Sequence, residues 1–463
     1  MKNFFNLKTF FTFLSKNKLY TAIEVFGLSV SLMFVVLIAI YTAQELSVDQ
    51  FHTKADRIFI IGSEDTPATG PAIAYKLKER YPEIEKVCPV VLLNKVGDYI
   101  NVSATINQQK YNPKTIFADS TFFDLFSFNL LDGDRDNVLR ANNNIIVSKS
   151  FALKTFGTTN VIGKNIILQD TLHVSIEGVV EDFKNTSLGE CEILIPWRFI
   201  KHYNSSLSED VLYNASGTVA FILTSANSNF QSRSEDMLTW FQSFFWIYER
   251  GLWKEVRIES LRNFYMTEWG GYSTLRSGDK QFVVILISIG FLILLFAVLN
   301  YINLSVAQAG YRYKEMAMRR LLGSNRKDLF SRLISESTML VLVSVLISIV
   351  LALIVKPFAN NLLETKLDFT VLLTPIWILI LAGGTLVVGA LSGWIPATVV
   401  SKVEPIEIVR GTFRRRTKMV FSKVFISFQS FVTAIMLSIA LIMILQVNHL
   451  INAPLGYKTT NIL

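Results

Sequence analysis

Residues 282–304 read FVVILISIGFLILLFAVLNYINL, a stretch without any charged side chain. A helix of about 20 residues, rising 1.5 Å per residue, crosses the roughly 30 Å hydrocarbon core of a bilayer. Four more runs are similarly long and nearly free of charge: Tyr20–Ala43, Leu333–Val355, Val371–Val400 and Val424–Val447. We therefore expect five transmembrane helices.

The composition agrees with an integral membrane protein. Of the 463 residues, 51% are hydrophobic and only 18% are charged, which excludes both a disordered chain and an ordinary soluble domain. The run Tyr20–Ala43 is long for the hydrophobic part of a signal peptide, and no small-x-small cleavage site follows it. We interpret this first run as an uncleaved membrane anchor.

The basic residues predict the orientation. Residues 1–19, 305–332 and 401–423 carry net charges of +4, +5 and +5, whereas the whole chain carries +8, so the remainder carries −6. Short segments rich in Lys and Arg stay in the cytoplasm. The N-terminus is thus expected inside and residues 44–281 outside. Because the positive charge is divided among membrane-flanking segments, a nucleic-acid partner is excluded.

Residues 44–281 mix two kinds of local pattern and predict an α+β domain between the first and second spans, which we call the inserted domain. Short β-branched and aromatic runs bounded by Gly, Asp or Asn predict strands. These are Arg57–Ile61, Asn144–Val147, Asn165–Leu168, Val174–Val180 and Val219–Thr224. Predicted helices are Ala72–Arg80 and Lys149–Phe156, the latter ending at Gly157.

The predicted order is one span, the inserted domain, three spans, and a fifth span. Residues 1–19 alternate aromatic residues with lysines and predict an amphipathic interfacial helix, the alternative being a plain extension of the first span. We expect residues 356–370 to form a short outer loop. The basic stretch Arg414–Lys423 before the fifth span mirrors Lys16–Lys18 before the first. We therefore expect the fifth span to open a second repeat, with residues 448–463 at the start of a second outer region.

The segment 305–332 contains a predicted helix, turn and second helix. The turn is placed at Gly323, and Ser324 is the predicted N-cap of the next helix. On charge alone, the favoured role is to hold the segment in the cytoplasm. The charged residues of the first helix are Arg312, Lys314, Glu315, Arg319 and Arg320.

Small residues in the fourth span predict close helix packing. Gly389 and Gly393 are four residues apart, so both lie on one face of the helix. The contact is expected within the protomer or across a dimer, with a gating hinge as the alternative.

Two acids fall within predicted spans, Glu24 in the first and Glu336 in the third. Both lie near the predicted cytoplasmic ends, where a Lys or Arg can reach them. Pairing is therefore favoured over a proton or substrate path. The two cysteines, Cys88 and Cys191, fall in the inserted domain, where a disulfide is permitted but free thiols are favoured.

Motifs for catalysis are missing from the sequence. There is no G-x-x-x-x-G-K-[ST] phosphate loop and no G-x-S-x-G nucleophile elbow. The four histidines show no metal-ligand spacing, and the acidic stretch Asp132–Asn137 lacks the glycine and glutamate that a calcium loop requires. We expect no enzyme activity, cofactor or metal in this chain.

The stretch Ala309–Ser337, AGYRYKEMAMRRLLGSNRKDLFSRLISES, resembles the signature of FtsX-like permeases of ABC transporters. Ile395–Gly411 also fits that family. The inserted domain is similar to the MacB-like periplasmic domain over four stretches in the family's order: Ser47–Ile61, Phe117–Gly133, Val147–Gly163 and Ile176–Pro196. The chain also resembles the large two-repeat permeases of Bacteroidetes-type bacteria, and against them we expect it to be a form truncated or split after the fifth span.

The resemblance implies a multi-pass permease subunit of the bacterial inner membrane. A separate ABC ATPase would bind ATP and magnesium, and residues 305–332 would couple it to the spans. The inserted domain would then act on a peptide, lipoprotein or lipophilic cargo. Further implied partners are membrane lipid, a second copy or another permease half, and a periplasmic adaptor or outer-membrane protein. The alternative is a signalling or scaffold protein that regulates a cell-wall hydrolase or senses a periplasmic ligand.

Overall fold

The computed structural model describes residues 18–93, 102–141, 143–203, 217–267, 269, 274–307, 316, 318–401 and 420–453. The predicted interfacial helix at residues 1–19 lies outside these ranges, apart from its last two residues. The chain divides into two compact units. The membrane unit comprises residues 1–41 and 286–463, and the inserted domain comprises residues 42–285.

Helices occur in both units. In chain order they are α1 (Lys18–Leu46), α2 (Ile73–Arg80), α3 (Phe122–Leu125), α4 (Lys149–Phe156), α5 (Ile200–Tyr203), α6 (Ser234–Gln242), α7 (Trp246–Glu249), α8 (Leu261–Phe264), α9 (Lys280–Ala307), α10 (Arg326–Leu362), α11 (Pro375–Ser401) and α12 (Val420–Asn452). Five of these described helices, α1, α9, α10, α11 and α12, are long and apolar enough to cross a membrane. Four of them cover the whole of one apolar run, whereas α11 begins at Pro375, four residues after the start of the run Val371–Val400.

The strands all belong to the inserted domain. They are β1 (Ile58–Gly62), β2 (Ile84–Leu93), β3 (Ala104–Ile106), β4 (Gln109–Tyr111), β5 (Thr115–Ala118), β6 (Leu130–Asp132), β7 (Asn144–Ser148), β8 (Asn165–Leu168), β9 (Leu172–Val180), β10 (Ile193–Pro196), β11 (Val219–Thr224) and β12 (Arg257–Ser260). They form one mixed sheet in the order β12-β1-β11-β2-β5-β10-β7-β9-β8-β3-β4, with β6 beside β9. The β5–β10 and β7–β9 pairs are parallel.

Both faces of the sheet are covered, which explains why its strands read as continuous apolar runs. In β1, Ile58 and Ile60 enter a core cluster on one face that also contains α3 and α8. The alternate residues Phe59 and Ile61 enter a second cluster, closed by α2 and α6, on the opposite face. A third cluster with α4 lies under β5, β10 and β7.

The predicted helices and strands of the inserted domain are confirmed within two residues. The helix α4 has the predicted boundaries: the Ser148 side chain accepts from the Phe151 N–H, and Gly157 adopts φ +70° after its last residue. A side chain is strained at such a positive φ, so glycine suits this position. The α+β character predicted for this domain is thus confirmed.

In the membrane unit, small residues let helices approach one another. A Cβ on Gly290 of α9 would lie 3.3 Å from the Ile38 side chain of α1. Helix α10 is continuous over 37 residues and includes Pro357. Helix α12 differs from the other four, since the most apolar window of its described residues buries no residue within the chain.

Candidate functional site

The turn between the described residues 318–321 and α10 is closed by three backbone hydrogen bonds. The N–H groups of Leu322, Gly323 and Ser324 donate to the carbonyls of Met318, Arg320 and Arg319, at 3.1, 3.0 and 3.0 Å. Gly323 adopts φ +95°. The bonds from Gly323 and Ser324 have the Schellman pattern, which satisfies the last carbonyls of a helix. The predicted turn at Gly323 is therefore tightly defined.

The predicted N-cap at Ser324 is wrong by one residue. The N-cap of α10 is Asn325, which forms a capping box with Asp328: each side chain bonds the backbone N–H of the other residue. The Ser324 N–H is already committed to the preceding turn. The two helical segments are thus joined with only Ser324 between the Schellman glycine and the next cap.

Two of the five charged residues predicted to couple an ATPase lie in the described part of the chain. Arg319 and Arg320 are both half-buried, whereas Arg312, Lys314 and Glu315 lie outside the described ranges. Sequence reasoning missed the apolar residues beside them: Met318, Leu321 and Leu322 are 59, 65 and 81% exposed. This turn therefore presents apolar side chains as well as charge.

After this turn, α10 carries a partly buried ion pair. Arg332 donates from Nε to Glu336 Oε1 at 2.9 Å, and Glu336 is only 7% exposed. The prediction that a basic residue reaches Glu336 is confirmed. One residue further, the Ser337 hydroxyl accepts a 2.9 Å hydrogen bond from the Tyr301 hydroxyl of α9. This part of α10 is thereby fixed to its own preceding turn and to α9.

The glycine pair of α11 faces α10. A Cβ on Gly389 would lie 2.6 Å from Thr338 Cα, and a Cβ on Gly393 would lie 2.9 Å from Ser337 Cβ. Real Cβ atoms essentially never lie under 3.0 Å from another heavy atom, so a side chain at either position requires the neighbouring atoms of α10 to shift. The close contact made by these two residues lies within one chain.

Cys88 and Cys191 are both buried and free, so the alternative of a disulfide is not formed. The Cys88 thiol lies beside Asp119 and Thr121, whereas the Cys191 thiol lies beside the backbone of Ile116 and Ile193. The thiols therefore sit toward opposite ends of β5. Burial raises the pKa of both groups above the usual thiol range.

A buried polar cluster that sequence reasoning missed follows the end of α1. Asp49 is fully buried with φ +59°. Its carboxylate accepts hydrogen bonds from the Thr186 hydroxyl at 2.7 Å and from the Ser187 N–H at 3.1 Å. Its own N–H donates to the Asn185 carbonyl at 3.0 Å. Asp49 thus holds a loop more than a hundred residues further along the chain.

His52 extends this cluster toward the core. Its Nδ1 accepts from the Ser127 N–H at 3.0 Å, and its Nε2 lies 3.6 Å from Asp49 Oδ1. The ring packs edge-on against Phe126 and Phe128. Since Nδ1 is an acceptor here, the neutral ring carries its proton on Nε2, facing Asp49.

A second polar group, made by Glu45, Tyr265 and Arg276, joins the end of α1 to the segment that leads into α9. The Tyr265 hydroxyl donates to Glu45 Oε2 at 2.8 Å, and Arg276 lies 3.6 Å from Glu45 Oε1 and 3.2 Å from the Tyr265 hydroxyl. The Arg276 N–H donates to the Ser187 carbonyl at 2.7 Å. These contacts lie wholly within the inserted domain.

Among the described residues, no group of three or more His, Cys, Asp or Glu side chains is arranged to hold a metal ion. The acidic stretch Asp132–Asn137 instead forms local hydrogen bonds. The Asp134 carboxylate accepts from the Asp136 N–H and the Asn137 amide, and the Asp132 carboxylate accepts from the Gly133 N–H. These carboxylates stabilise a turn.

Two family models match parts of the chain. Residues 21–232 match the MacB-like periplasmic core domain, and residues 287–405 match the FtsX-like permease C-terminal domain. The macrolide export ATP-binding/permease protein MacB of Agrobacterium fabrum is 25% identical over 152 residues, which cover 33% of this chain and 23% of that protein. The chain thus matches about a quarter of the length of that relative.

Two solved structures resemble part of the chain. A domain of a putative permease from Porphyromonas gingivalis is 20% identical, with a TM-score of 0.37, and covers 51% of this chain and 99% of its own. The periplasmic region of MacB from Actinobacillus actinomycetemcomitans is 12% identical, with a TM-score of 0.32, and covers 44% of this chain and 88% of its own.

Proposed function

Because the chain carries a MacB-like periplasmic core domain and an FtsX-like permease domain, we propose that it is the membrane-spanning subunit of an ATP-driven machine. A separate ABC ATPase binds ATP and magnesium, and its closure moves the membrane helices. The inserted domain receives that movement and performs the work. This chain is then a transmitter of force and not itself an enzyme.

The observation that carries the proposal is the capped turn at Gly323 together with the continuous helix that follows it. The Schellman bonds and the Asn325–Asp328 capping box leave little freedom between the two helical segments. From this turn, α10 runs without interruption for 37 residues, about 55 Å at 1.5 Å per residue. A push at the turn is therefore delivered along the helix up to Pro357, five residues before its end, where one backbone hydrogen bond is missing.

Contacts between helices spread that push. The Tyr301–Ser337 hydrogen bond links α10 to α9, and the Gly389 and Gly393 contacts link it to α11. Close-packed helices shift as a group because their interfaces resist continuous deformation. Movement received by α10 thus passes to both neighbouring spans.

The orientation follows from the charge distribution. The basic segments 305–332 and 401–423 lie in the cytoplasm with the N-terminus, and the inserted domain lies in the periplasm of a bacterial inner membrane. The cargo is a peptide, a lipoprotein or a lipophilic molecule, exported or extracted from the membrane. The partners besides the ATPase and lipid are a second copy or another permease half, and a periplasmic adaptor or outer-membrane protein.

The test is purification of the tagged chain from native membranes in mild detergent, with mass spectrometry of the proteins that come with it. We expect a Walker-motif ATPase with the unmodified chain and loss of that ATPase from the double variant Arg319→Glu, Arg320→Glu. The matched control, Lys110→Glu with Lys154→Glu, reverses two exposed charges in the inserted domain and is expected to retain the ATPase.

Two results would contradict the proposal. Absence of any ATPase from a folded, unmodified preparation would favour a signalling or scaffold protein that works without ATP. Equal ATPase recovery from the unmodified chain and the Arg319→Glu, Arg320→Glu variant would remove the coupling role from these two arginines.

A further inference from the structure

The covalent connections of the inserted domain attach both membrane helices to one edge of its sheet. Helix α1 leads into β1, and β12 leads through α8 toward α9. In the sheet, β12 is the edge strand and β1 lies next to it. Through the chain alone, a displacement of α1 or α9 would therefore reach the edge of the sheet first.

A second connection bypasses that edge. The loop 181–192 joins β9 to β10, and both strands lie in the central part of the sheet, with β10 between β5 and β7. Asp49, three residues beyond the end of α1, holds this loop by three hydrogen-bonding groups: the carbonyl of Asn185, the hydroxyl of Thr186 and the N–H of Ser187. The Asn185 amide also donates to the Ser47 hydroxyl at 2.8 Å.

Burial makes this connection stiff. Asp49, Thr186 and Ser187 are at most 1% exposed, so water does not compete for their hydrogen bonds. Hydrogen bonds to an ionised carboxylate are stronger than those between neutral groups. A buried carboxylate without hydrogen-bond donors destabilises the fold. Separating the loop from Asp49 therefore carries a large free-energy penalty.

The segment before α9 holds the same loop. The Ser187 carbonyl accepts from the Arg276 N–H, and the Arg276 side chain lies against Glu45 and Tyr265. Ser187 thus bonds the segment that follows α1 through its N–H and the segment that precedes α9 through its carbonyl. The two segments that continue into these helices meet at one residue of a loop that leads into the centre of the sheet.

We propose that Asp49 and Arg276, through Ser187, form a noncovalent transmission point that drives β9 and β10 together with the edge strand β1. The inference rests on the proposed function in treating the membrane helices as the moving parts. With this point intact, the edge and the centre of the sheet are displaced together. Without it, the membrane helices would act on the edge alone, and the central strands would no longer follow.

The experiment is hydrogen–deuterium exchange of the full chain in lipid nanodiscs, comparing the unmodified protein with Asp49→Asn and with Thr186→Val. For Asp49→Asn we expect amide exchange in residues 185–189 and 274–279 to rise at least about tenfold, while exchange in β1 stays unchanged. Thr186→Val removes one donor and leaves the Ser187 N–H in place, so a smaller rise confined to residues 185–189 is expected.

The control is Glu85→Gln, which removes an acid from an exposed ion pair with Arg57. It should leave amide exchange unchanged in residues 185–189 and in residues 274–279. Unchanged exchange at 185–189 in Asp49→Asn, or a rise at 185–189 without one at 274–279, would overturn the proposal. So would an equal rise throughout the domain in both Asp49→Asn and Thr186→Val. This readout requires no ATPase, so its failure is separate from failure of the copurification test.

Discussion

The Tyr81 hydroxyl donates a 2.6 Å hydrogen bond to Asp236 Oδ2 and thereby joins the end of α2 to the start of α6. Arg80 adds a second bond to the other carboxylate oxygen of Asp236 at 3.1 Å and stacks over Trp240. Both helices cover the same core cluster on one face of the sheet. The Tyr81–Asp236 hydrogen bond therefore holds together the two helices that cover this face of the sheet. Its acceptor is a carboxylate, so the bond depends on pH.

The bond from Tyr81 is the main cause that lowers the pKa of Asp236 below its usual value of 3.8. A depressed carboxyl pKa contributes stability that is present above the unfolded pKa and is lost as the pH falls through the folded pKa. We expect Asp236→Asn to flatten the decline in thermal stability below about pH 4. Thermal unfolding of the detergent-solubilised chain at a series of pH values measures this.

The matched variant for this titration is Asp134→Asn, since Asp134 serves a local turn and does not join two helices. It should leave the acid limb of the stability profile close to that of the unmodified chain. If Asp236→Asn follows the unmodified profile instead, the Tyr81–Asp236 bond does not govern the acid response of this face.

Gly389→Ala should destabilise the membrane unit because the new Cβ would lie 2.6 Å from Thr338 Cα. Overpacking of this kind costs about 1–3 kcal/mol. In the same helix, a Cβ on Gly383 meets nothing within 4 Å. Gly383→Ala should therefore be neutral or stabilising by up to about 1 kcal/mol. Thermal unfolding in matched detergent would decide, and equal behaviour of the two variants would contradict the packing role.

Asn325→Ala and Ser324→Ala separate the two candidate N-caps of α10. Loss of the Asn325 side chain removes half of the capping box and should cost about 1 kcal/mol. Ser324 contributes its backbone N–H to the Schellman turn, so Ser324→Ala should have little effect. Amide exchange of residues 326–329 reports fraying of this helix end, and greater fraying in Ser324→Ala would restore the cap to Ser324.

The cysteines should resist alkylation in the folded protein. Burial raises the pKa of both Cys88 and Cys191, so little thiolate forms at neutral pH, and each thiol is covered. Iodoacetamide should modify neither residue before denaturation and both residues after it, without a reducing agent. Intact-mass analysis gives the count, and a requirement for reductant would show a disulfide.

The sequence predicted those strands and helices whose boundaries are marked by neighbouring residues. Strands β8 and β11 and helix α4 begin and end where the sequence alone placed them. Strand β2 was missed because Glu85, Lys86 and Pro89 interrupt its apolar run. Its partners β11 and β5 bury the remaining residues and outweigh the weak local preference.

The polar cluster at Asp49 could not be predicted in the same way. Asp49 and Ser187 are separated by 138 positions, and no spacing rule relates residues so far apart. In isolation, an aspartate after a long helix resembles any polar residue in a connecting loop. Only the fold shows that its carboxylate is buried, whereas the charged residues near Gly323 were conspicuous from composition alone.

The alternation along β1 has a consequence for how the inserted domain unfolds. Ile58 and Ile60 belong to the core on one face, while Phe59 and Ile61 belong to the core on the other. Strands β5, β7 and β10 divide their side chains between two cores in the same manner. Melting one core pulls apart strands on which another core is built. We therefore expect the inserted domain to unfold as a single cooperative unit with one melting temperature.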